Sequence, residues 1–467
     1  MIDRREIIDA ASTLGLNPHV VEKDLVLGWV LAGIYQHEAL AAHWIFKGGT
    51  CLKKCFFETY RFSEDLDFTL TDESHLDEAF LGRVFREIAE WIYEETGIEL
   101  PANQQTFDIY NNPRGNLSCE GRLGYRGPIS PRSLPRIKLD LTADERLVLP
   151  PVKVPIFHPY TDAPEDGIHV LSYAYEEAFG EKVRALAERT RPRDLYDVIN
   201  LFRNTEARPS PPVLRDVLRQ KCEFKGINIP RLEDLELHKP DLEGAWDHML
   251  GHQLPAVLPV ESFWNALPEF FTWMETGIAP EVPAAYQLAA GETVLRERTL
   301  HLPVSGIARS YLEVIRFAAA NRTCIDLDYR GTLDYRATIR RIEPYSLRRT
   351  RDDDIILHAF DTDKNGHRSY RVDRMSGAST TNQTFVPRYQ VELSPQGPVS
   401  IPPTASRETR LAPRSTTRHT GPQYVYECSY CNKKFYRKTR TSRLNPHKDK
   451  DGYPCSGRDA LYVDTRY

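Results

Sequence analysis

No apolar run in this chain of 467 residues is long enough to cross a bilayer, so a helical membrane protein is excluded. The start, Met1-Ile2-Asp3-Arg4-Arg5-Glu6, has no apolar core. No secretory leader is therefore expected, and a cytoplasmic protein without a membrane partner is predicted. Repeats of about 20–50 residues are also missing, which excludes solenoids and propellers. In a reducing compartment disulfides do not persist, so the eight cysteines need another account. Cys51, Cys55, Cys119, Cys222 and Cys324 are scattered and read as small buried side chains. Cys428, Cys431 and Cys455 cluster with His447. A large charge excess is missing too, the net value being −5, but its distribution is uneven. Residues 401–467 carry 14 Lys and Arg against 6 Asp and Glu, leaving an acidic body. A basic tail on an acidic body suits a nucleic-acid contact, the alternative being a solvated tail.

The most informative residues present are Lys47-Gly48-Gly49-Thr50 and, after them, Arg61-Phe62-Ser63-Glu64-Asp65-Leu66-Asp67-Phe68. In a strand, Asp65 and Asp67 project from one face while Leu66 and Phe68 face a core. Carboxylates that close repel unless a cation lies between them, and oxygen ligands on a strand suit Mg²⁺ or Mn²⁺. Gly48 and Gly49 let the backbone approach a phosphate. Ile137-Lys138-Leu139-Asp140-Leu141 repeats the alternation, so Asp140 is a candidate third ligand and Lys138 a candidate phosphate partner. Lys182 and Arg189 lie seven apart on one predicted helix face, a spacing able to grip a triphosphate. Asp194 and Asp197 follow in the first turn of the next helix, where carboxylates suit the dipole. Two helices are predicted over 1–40, split at Asn17-Pro18, and two over 172–204, split at Pro192. A further helix is expected over 74–96, strands over 102–141, mostly helix over 211–280 and short strands from Thr323 to Glu392.

Together these segments resemble the AbiEii/AbiGii-type nucleotidyltransferase toxins of the DNA polymerase β-like superfamily. Gly48-Gly49-Thr50 with Asp65-Leu66-Asp67 resembles the first motif, and Lys138-Leu139-Asp140 the second. Ser172-Tyr173-Ala174-Tyr175-Glu176-Glu177 resembles the third. Lys182, Arg189, Arg193, Asp194 and Asp197 fall on the fourth. The resemblance implies an α+β fold, a mixed sheet flanked by helices with a helical extension. It implies Mg²⁺-dependent transfer of a nucleoside monophosphate from an NTP, with RNA as acceptor, notably the 3′ end of tRNA, so that aminoacylation is blocked. A cognate antitoxin is a possible partner. Asp65, Asp67 and Asp140 would hold the metal, and Gly49 and Thr50 the β,γ-phosphates. Lys182 and Arg189 would offset charge on the leaving pyrophosphate. Asp194 would either orient Lys182 or act as a base. Arg193 is a nucleotide-binding candidate or, with Asp197, a tie between the two helices. The alternatives are a GTP-binding, nucleic-acid-binding regulator without transfer, or a protein-modifying nucleotidyltransferase.

Residues 308–392 resemble a WYL domain, a small β-barrel-like unit, through Ile325–Tyr329, Arg341–Leu347, Ile355–Asp361 and Arg368–Arg374. Ile355 and Ile356 stand where that family usually has Trp and Tyr. Tyr329, Arg368, Arg371 and Arg374 are candidates for a surface that binds single-stranded nucleic acid, against arginines that merely pair with nearby acids. Cys428-Ser429-Tyr430-Cys431, then His447 after 15 residues and Cys455 after 7 more, fit a closed structural Zn²⁺ site in a ribbon-like module. Lys433, Lys434, Arg437 and Lys438, interleaved with Phe435 and Tyr436, are candidate nucleic-acid contacts. The expected organisation is a catalytic domain over 1–205, a helical extension over 206–300, a WYL-like β domain over 301–397, a linker over 398–423 and the zinc module over 424–467.

Overall fold

The computed structural model describes residues 2–14, 16–57, 61–129, 134–205, 207–278, 280–295, 306–332, 336–393, 423–437, 440–449 and 453–466. Nearly all of the expected linker over 398–423, and Lys438, lie outside the described residues. The chain opens with helices Arg4–Leu14 and Pro18–Gln36. Asn17 caps the second, its side chain accepting from His19 N, and Pro18 takes the first turn, where no donor is lost.

The first sheet has seven strands: β1 (Trp44–Lys47), β2 (Asp65–Leu70), β3 (Gln105–Asn111), β4 (Leu117–Gly124), β5 (Arg136–Thr142), β6 (Val152–Pro155) and β7 (His169–Ser172). Their order is β3-β4-β5-β2-β1-β7-β6. β2 runs parallel to β5, and β1 parallel to β7; the other neighbours are antiparallel, so the sheet is mixed. Alternation sorts the side chains. Trp44, Phe46, Leu66, Phe68, Ile137 and Leu139 join a core shared with helices Pro18–Gln36 and Glu78–Thr96. Ile45 points the other way, into a second core with Tyr173, Phe179, Leu195, Ile199 and Trp273. That core belongs to helices Tyr175–Arg189, Pro192–Arg203, Pro211–Lys225 and Leu267–Thr276. Asp65, Asp67, Lys138 and Asp140, out of phase with the first core, are thereby left on the rim of the second.

The second sheet comprises β8 (Thr293–Val294), β9 (Thr323–Tyr329), β10 (Thr338–Arg349), β11 (Ile355–Asp361), β12 (Gly366–Arg371) and β13 (Met375–Thr384). The order is β12-β11-β10-β9-β13, with β8 added to the end of β10. It curls enough for Tyr329 of β9 to meet Tyr370 of β12 edge to face, ring centroids 4.9 Å apart. Helix Gly306–Asn321, which no sequence expectation covered, supplies Leu312, Ile315 and Ala318 to its core.

The tail forms β14 (Gln423–Cys428), β15 (Lys434–Arg437), β16 (His447–Lys448), β17 (Pro454–Cys455) and β18 (Ala460–Arg466). β14 is the centre of a three-stranded sheet, and β16 pairs with β17. No helix among the described residues is long and apolar enough to cross a membrane.

Candidate active site and metal centres

Parallel pairing of β2 with β5 sets Asp65 opposite Lys138 and Asp67 opposite Asp140. Three carboxylates thus share one sheet face. Burial first, and then the charges of Asp140 and Asp65, push the Asp67 carboxyl up to about 6, even with Lys47 nearby. Burial likewise raises Asp65, opposed by Lys23 and Lys138. Like charges held together in a half-dry site, with oxygen donors only, fit a divalent cation, which relieves both penalties. Gly48 supplies the close approach. Its φ is +82°, and a Cβ there would lie 2.0 Å from Asp67 Oδ2. Gly49 is bounded by Arg61 Nη2 and Ser63 Oγ, at 2.6 and 3.2 Å from a hypothetical Cβ. Thr50 is buried, and its hydroxyl donates to the Asp65 carbonyl at 2.5 Å, fixing the start of β2.

The fourth motif lies against this face. Arg61 donates to both oxygens of Asp197 at 2.7 Å, and Lys182 reaches the same carboxylate at 2.8 Å and Asp194 at 3.6 Å. Asp197 joins the two motif helices and is held well below the ordinary carboxylate range: burial opposes the shift, but Arg61 and Lys182 overcome it. Arg189 forms a bidentate pair with Asp194 at 2.7 and 3.0 Å. Arg193 is half-buried, with Asp65 and Glu64 among the charges acting on it, and donates to the Met249 carbonyl at 3.5 Å. Lys138 lies 3.1 Å from both Glu120 and Asp140.

Further residues border this face. Glu120 stands opposite Asp140 on β4, a place set by strand register alone. Lys23 pairs with Glu64 at 2.8 Å beside Asp65. Arg61, just before β2, carried a signal in hindsight, because a cation next to an acidic strand tends to find an acid partner. Asp24 and Lys54 form a buried pair at 2.7 Å, with Tyr160 Oη donating to the same carboxylate at 2.9 Å. That pair pins helix Pro18–Gln36 to the helical turn after the glycines.

At the other end, Cys428, Cys431, His447 and Cys455 place their ligand atoms within 4.8 Å of one another. Cys428 Sγ and Cys455 Sγ are 3.8 Å apart, too far for a disulfide, and Cys431 Sγ is 3.2 Å from His447 Nε2. Backbone amides of Tyr430 and Gly457 donate to the Cys428 and Cys455 sulfurs, and His447 Nδ1 faces the Asn445 carbonyl. Three sulfurs and one imidazole, with amides aimed at thiolates and the second ring nitrogen engaged, suit tetrahedral Zn²⁺. Gly457 leaves room for this: a Cβ there would lie 2.5 Å from Cys428 Sγ.

The expected nucleic-acid contacts divide. Arg371 is spent on Asp354 at 2.6 Å and on Asp373 at 2.8 Å. Arg374 donates to Thr332, Tyr329 packs on Tyr370, and Arg368 is exposed. Lys433 pairs with Glu94 of helix Glu78–Thr96 at 2.6 Å, and Asn445 donates to the Glu95 carbonyl at 2.7 Å. The Arg437 charge acts on Glu95 as well. Lys433 and Arg437 therefore face the catalytic unit, whereas Lys434 is exposed.

A mixed sheet that aligns three aspartates across two parallel strands, beside a glycine turn and a cationic helix pair, belongs to a nucleotidyltransferase. The family model for the nucleotidyl transferase AbiEii toxin of type IV toxin–antitoxin systems matches residues 29–275. That is more than half of the chain, and the chain belongs to this family. The WYL domain model matches residues 310–380. Among solved structures, MenT4, a nucleotidyltransferase toxin from Mycobacterium tuberculosis H37Rv, is similar at 19% identity and a TM-score of 0.41, over 59% of this chain and 90% of that one. Proteasome accessory factor B/C of Arthrobacter aurescens is similar at 17% identity and a TM-score of 0.17, over 20% of this chain and 15% of that one. A search of curated proteins gives no match.

Proposed function

We propose that this nucleotidyltransferase toxin transfers a nucleoside monophosphate from an NTP to RNA, with the 3′ end of tRNA as acceptor. The observation that carries the reading is the register that puts Asp140 beside Asp67 and Asp65 on one sheet face. Mg²⁺ (or Mn²⁺) bound by these three would lower the pKa of the acceptor hydroxyl and offset charge on the reacting phosphate. The chain's own groups do the rest. Gly48 and Gly49 let the triphosphate approach the backbone, and Thr50 holds β2 in place beneath it. Lys182 and Arg189, oriented by Asp197 and Asp194, face the pyrophosphate as it leaves, where fixed cations stabilise growing charge. Lys138 serves the acceptor side of Asp140, and Arg193 the flank of Asp65. The acceptor oxygen bonds to the α-phosphorus, the bond from that phosphorus to the bridging oxygen breaks, and the hydroxyl proton passes to solvent.

In this reading Cys428, Cys431, His447 and Cys455 hold a structural Zn²⁺ that gives a small module the stability its core lacks. A cognate antitoxin would keep the cytoplasmic enzyme in check. Sequencing tRNA 3′ ends from cells that express the chain tests the acceptor. Added nucleotides that disappear with Asp65→Ala are expected; unaltered ends in cells made sick by the unaltered chain would refute tRNA as the target.

A further inference from the structure

Strand pairing carries the row of carboxylates one residue further, to a cation. Lys47 of β1 stands opposite Asp67, Asp67 opposite Asp140 on β5, and Asp140 opposite Glu120 on β4. Residues paired in this way project from the same face. The row therefore runs Glu120, Asp140, Asp67, Lys47 across the sheet. Lys47 closes β1, and Gly48 follows it directly. Burial and the Asp140 charge raise the Asp67 carboxyl, and the Lys47 charge opposes them.

What Lys47 lacks is a hydrogen bond. Its side chain is 12% exposed, and Nζ lies 3.6 Å from Glu145 Oε1, an ion pair beyond hydrogen-bond length. Nζ also sits 6.0 Å from the centre of the Tyr173 ring. Among the described residues no group accepts a hydrogen bond from it. The other cations of the site differ. Lys182 is 2.8 Å from Asp197, Arg189 holds Asp194 with two hydrogen bonds, and Lys138 is 3.1 Å from both Glu120 and Asp140. An ammonium group carries three donors. Nearly shut from solvent and unfilled by protein, those of Lys47 suit a charged ligand oxygen, with which hydrogen bonds are strong. Glu145 is not at liberty to turn toward them. Lys225, at the end of helix Pro211–Lys225, holds its carboxylate at 3.0 Å and donates to the neighbouring Asp144 carbonyl at 2.9 Å.

The row also has a direction. In an in-line displacement the leaving group departs on the side opposite the acceptor. With the acceptor at the Asp140 end, the departing phosphates lie toward Lys47, beside the glycine turn. We propose that Lys47 binds the non-transferred phosphates of the NTP, and that Glu145, fixed by Lys225, positions it. The helix that supplies Lys225 follows the two motif helices, so the helical part of the chain builds one wall of the nucleotide site. The inference rests on nucleotidyl transfer with the acceptor at Asp140, whichever molecule that acceptor is.

The test is calorimetric binding to the full chain, with Mg²⁺, of each NTP as its α,β-methylene analogue, which cannot be transferred, and of each NMP. Lys47→Met keeps the bulk and removes the charge. It is expected to weaken the analogue about 10–100-fold, the scale of hydrogen bonds to charged groups, and to leave the NMP unmoved. Glu145→Gln should weaken the analogue by a smaller factor, again without moving the NMP; an unchanged analogue would overturn its part in the proposal. A loss shared equally by analogue and NMP, or no loss with Lys47→Met, would overturn the proposal and leave Lys47 as a counter-charge for Asp67 and Glu145. If the unaltered chain binds no analogue, the transfer reading falls together with this one, whereas binding that ignores Lys47 overturns this one alone. If Lys47→Met does not fold, acetic anhydride labelling of lysines in the unaltered chain, read by mass spectrometry, decides. The analogue should protect Lys47 and the NMP should not, and equal labelling overturns the proposal.

Discussion

At the residue scale, the spacing around Gly48 leaves no tolerance. Gly48→Ala would place a methyl group on Asp67 Oδ2 and would impose a side chain on a backbone at φ +82°. A carboxylate displaced by about 1 Å costs about 100-fold in rate, so transfer should fall by that order while the fold persists. Steady-state kinetics with circular dichroism as a control checks this. Asp67→Asn probes the cation instead: Mg²⁺ should raise the melting temperature of the unaltered chain by a few degrees and leave that of the variant unmoved. Asp65, Asp67 and Asp140 are legible in the sequence because period-2 alternation survives in Asp65–Phe68 and Ile137–Leu141. Glu120 is not, because strand register alone brings it to the site and leaves no local pattern.

Among the elements, the two motif helices and the segment before β2 are locked by Arg61, Lys182 and Asp197. All three are buried, so removing the anion takes the shared carboxylate from two buried cations. Asp197→Ala should cost about 3–5 kcal/mol in chemical denaturation, far more than the loss of an exposed pair. The same carboxylate sets a pH dependence. Its folded pKa lies below the unfolded value of 3.8 despite burial, because Arg61 and Lys182 favour the charged form. Its stabilisation is therefore fully present above about pH 4–5 and is lost as pH falls toward the folded pKa. Asp197→Asn should flatten the acid limb of the stability–pH profile, which thermal melts from pH 2 to 6 would read. The helix pair was legible because Pro192 marks its break and the charges keep helical spacing. The β6–β7 hairpin at the sheet edge was missed because Pro150, Pro151 and Pro155 interrupt any strand pattern there, and an edge strand tolerates proline. In the second sheet, sequence reading could count arginines but not see that Asp354 and Asp373 engage Arg371, since the first of these pairs spans a hairpin.

For the whole molecule, the tail is a folded unit docked on helix Glu78–Thr96 through Lys433 and Asn445. With three thiols and one imidazole clustered and a core of only a few side chains, it should bind one zinc per chain by metal analysis. Chelation should open residues 423–466 to protease while the helices near the active site stay protected in hydrogen exchange. The convergence of Cys428, Cys431, His447 and Cys455 was legible from Cys-x₂-Cys spacing; the docking was not, because which cations of a basic run turn inward depends on surfaces far apart in sequence. The catalytic account turns on one measurement: incubate the purified chain with Mg²⁺, bulk tRNA and each α-³²P-labelled NTP, beside Asp67→Asn, and resolve RNA and protein on gels. The account predicts label on tRNA from at least one nucleotide, absent with the variant. Label on protein instead, or RNA labelling that persists in Asp67→Asn, would contradict it.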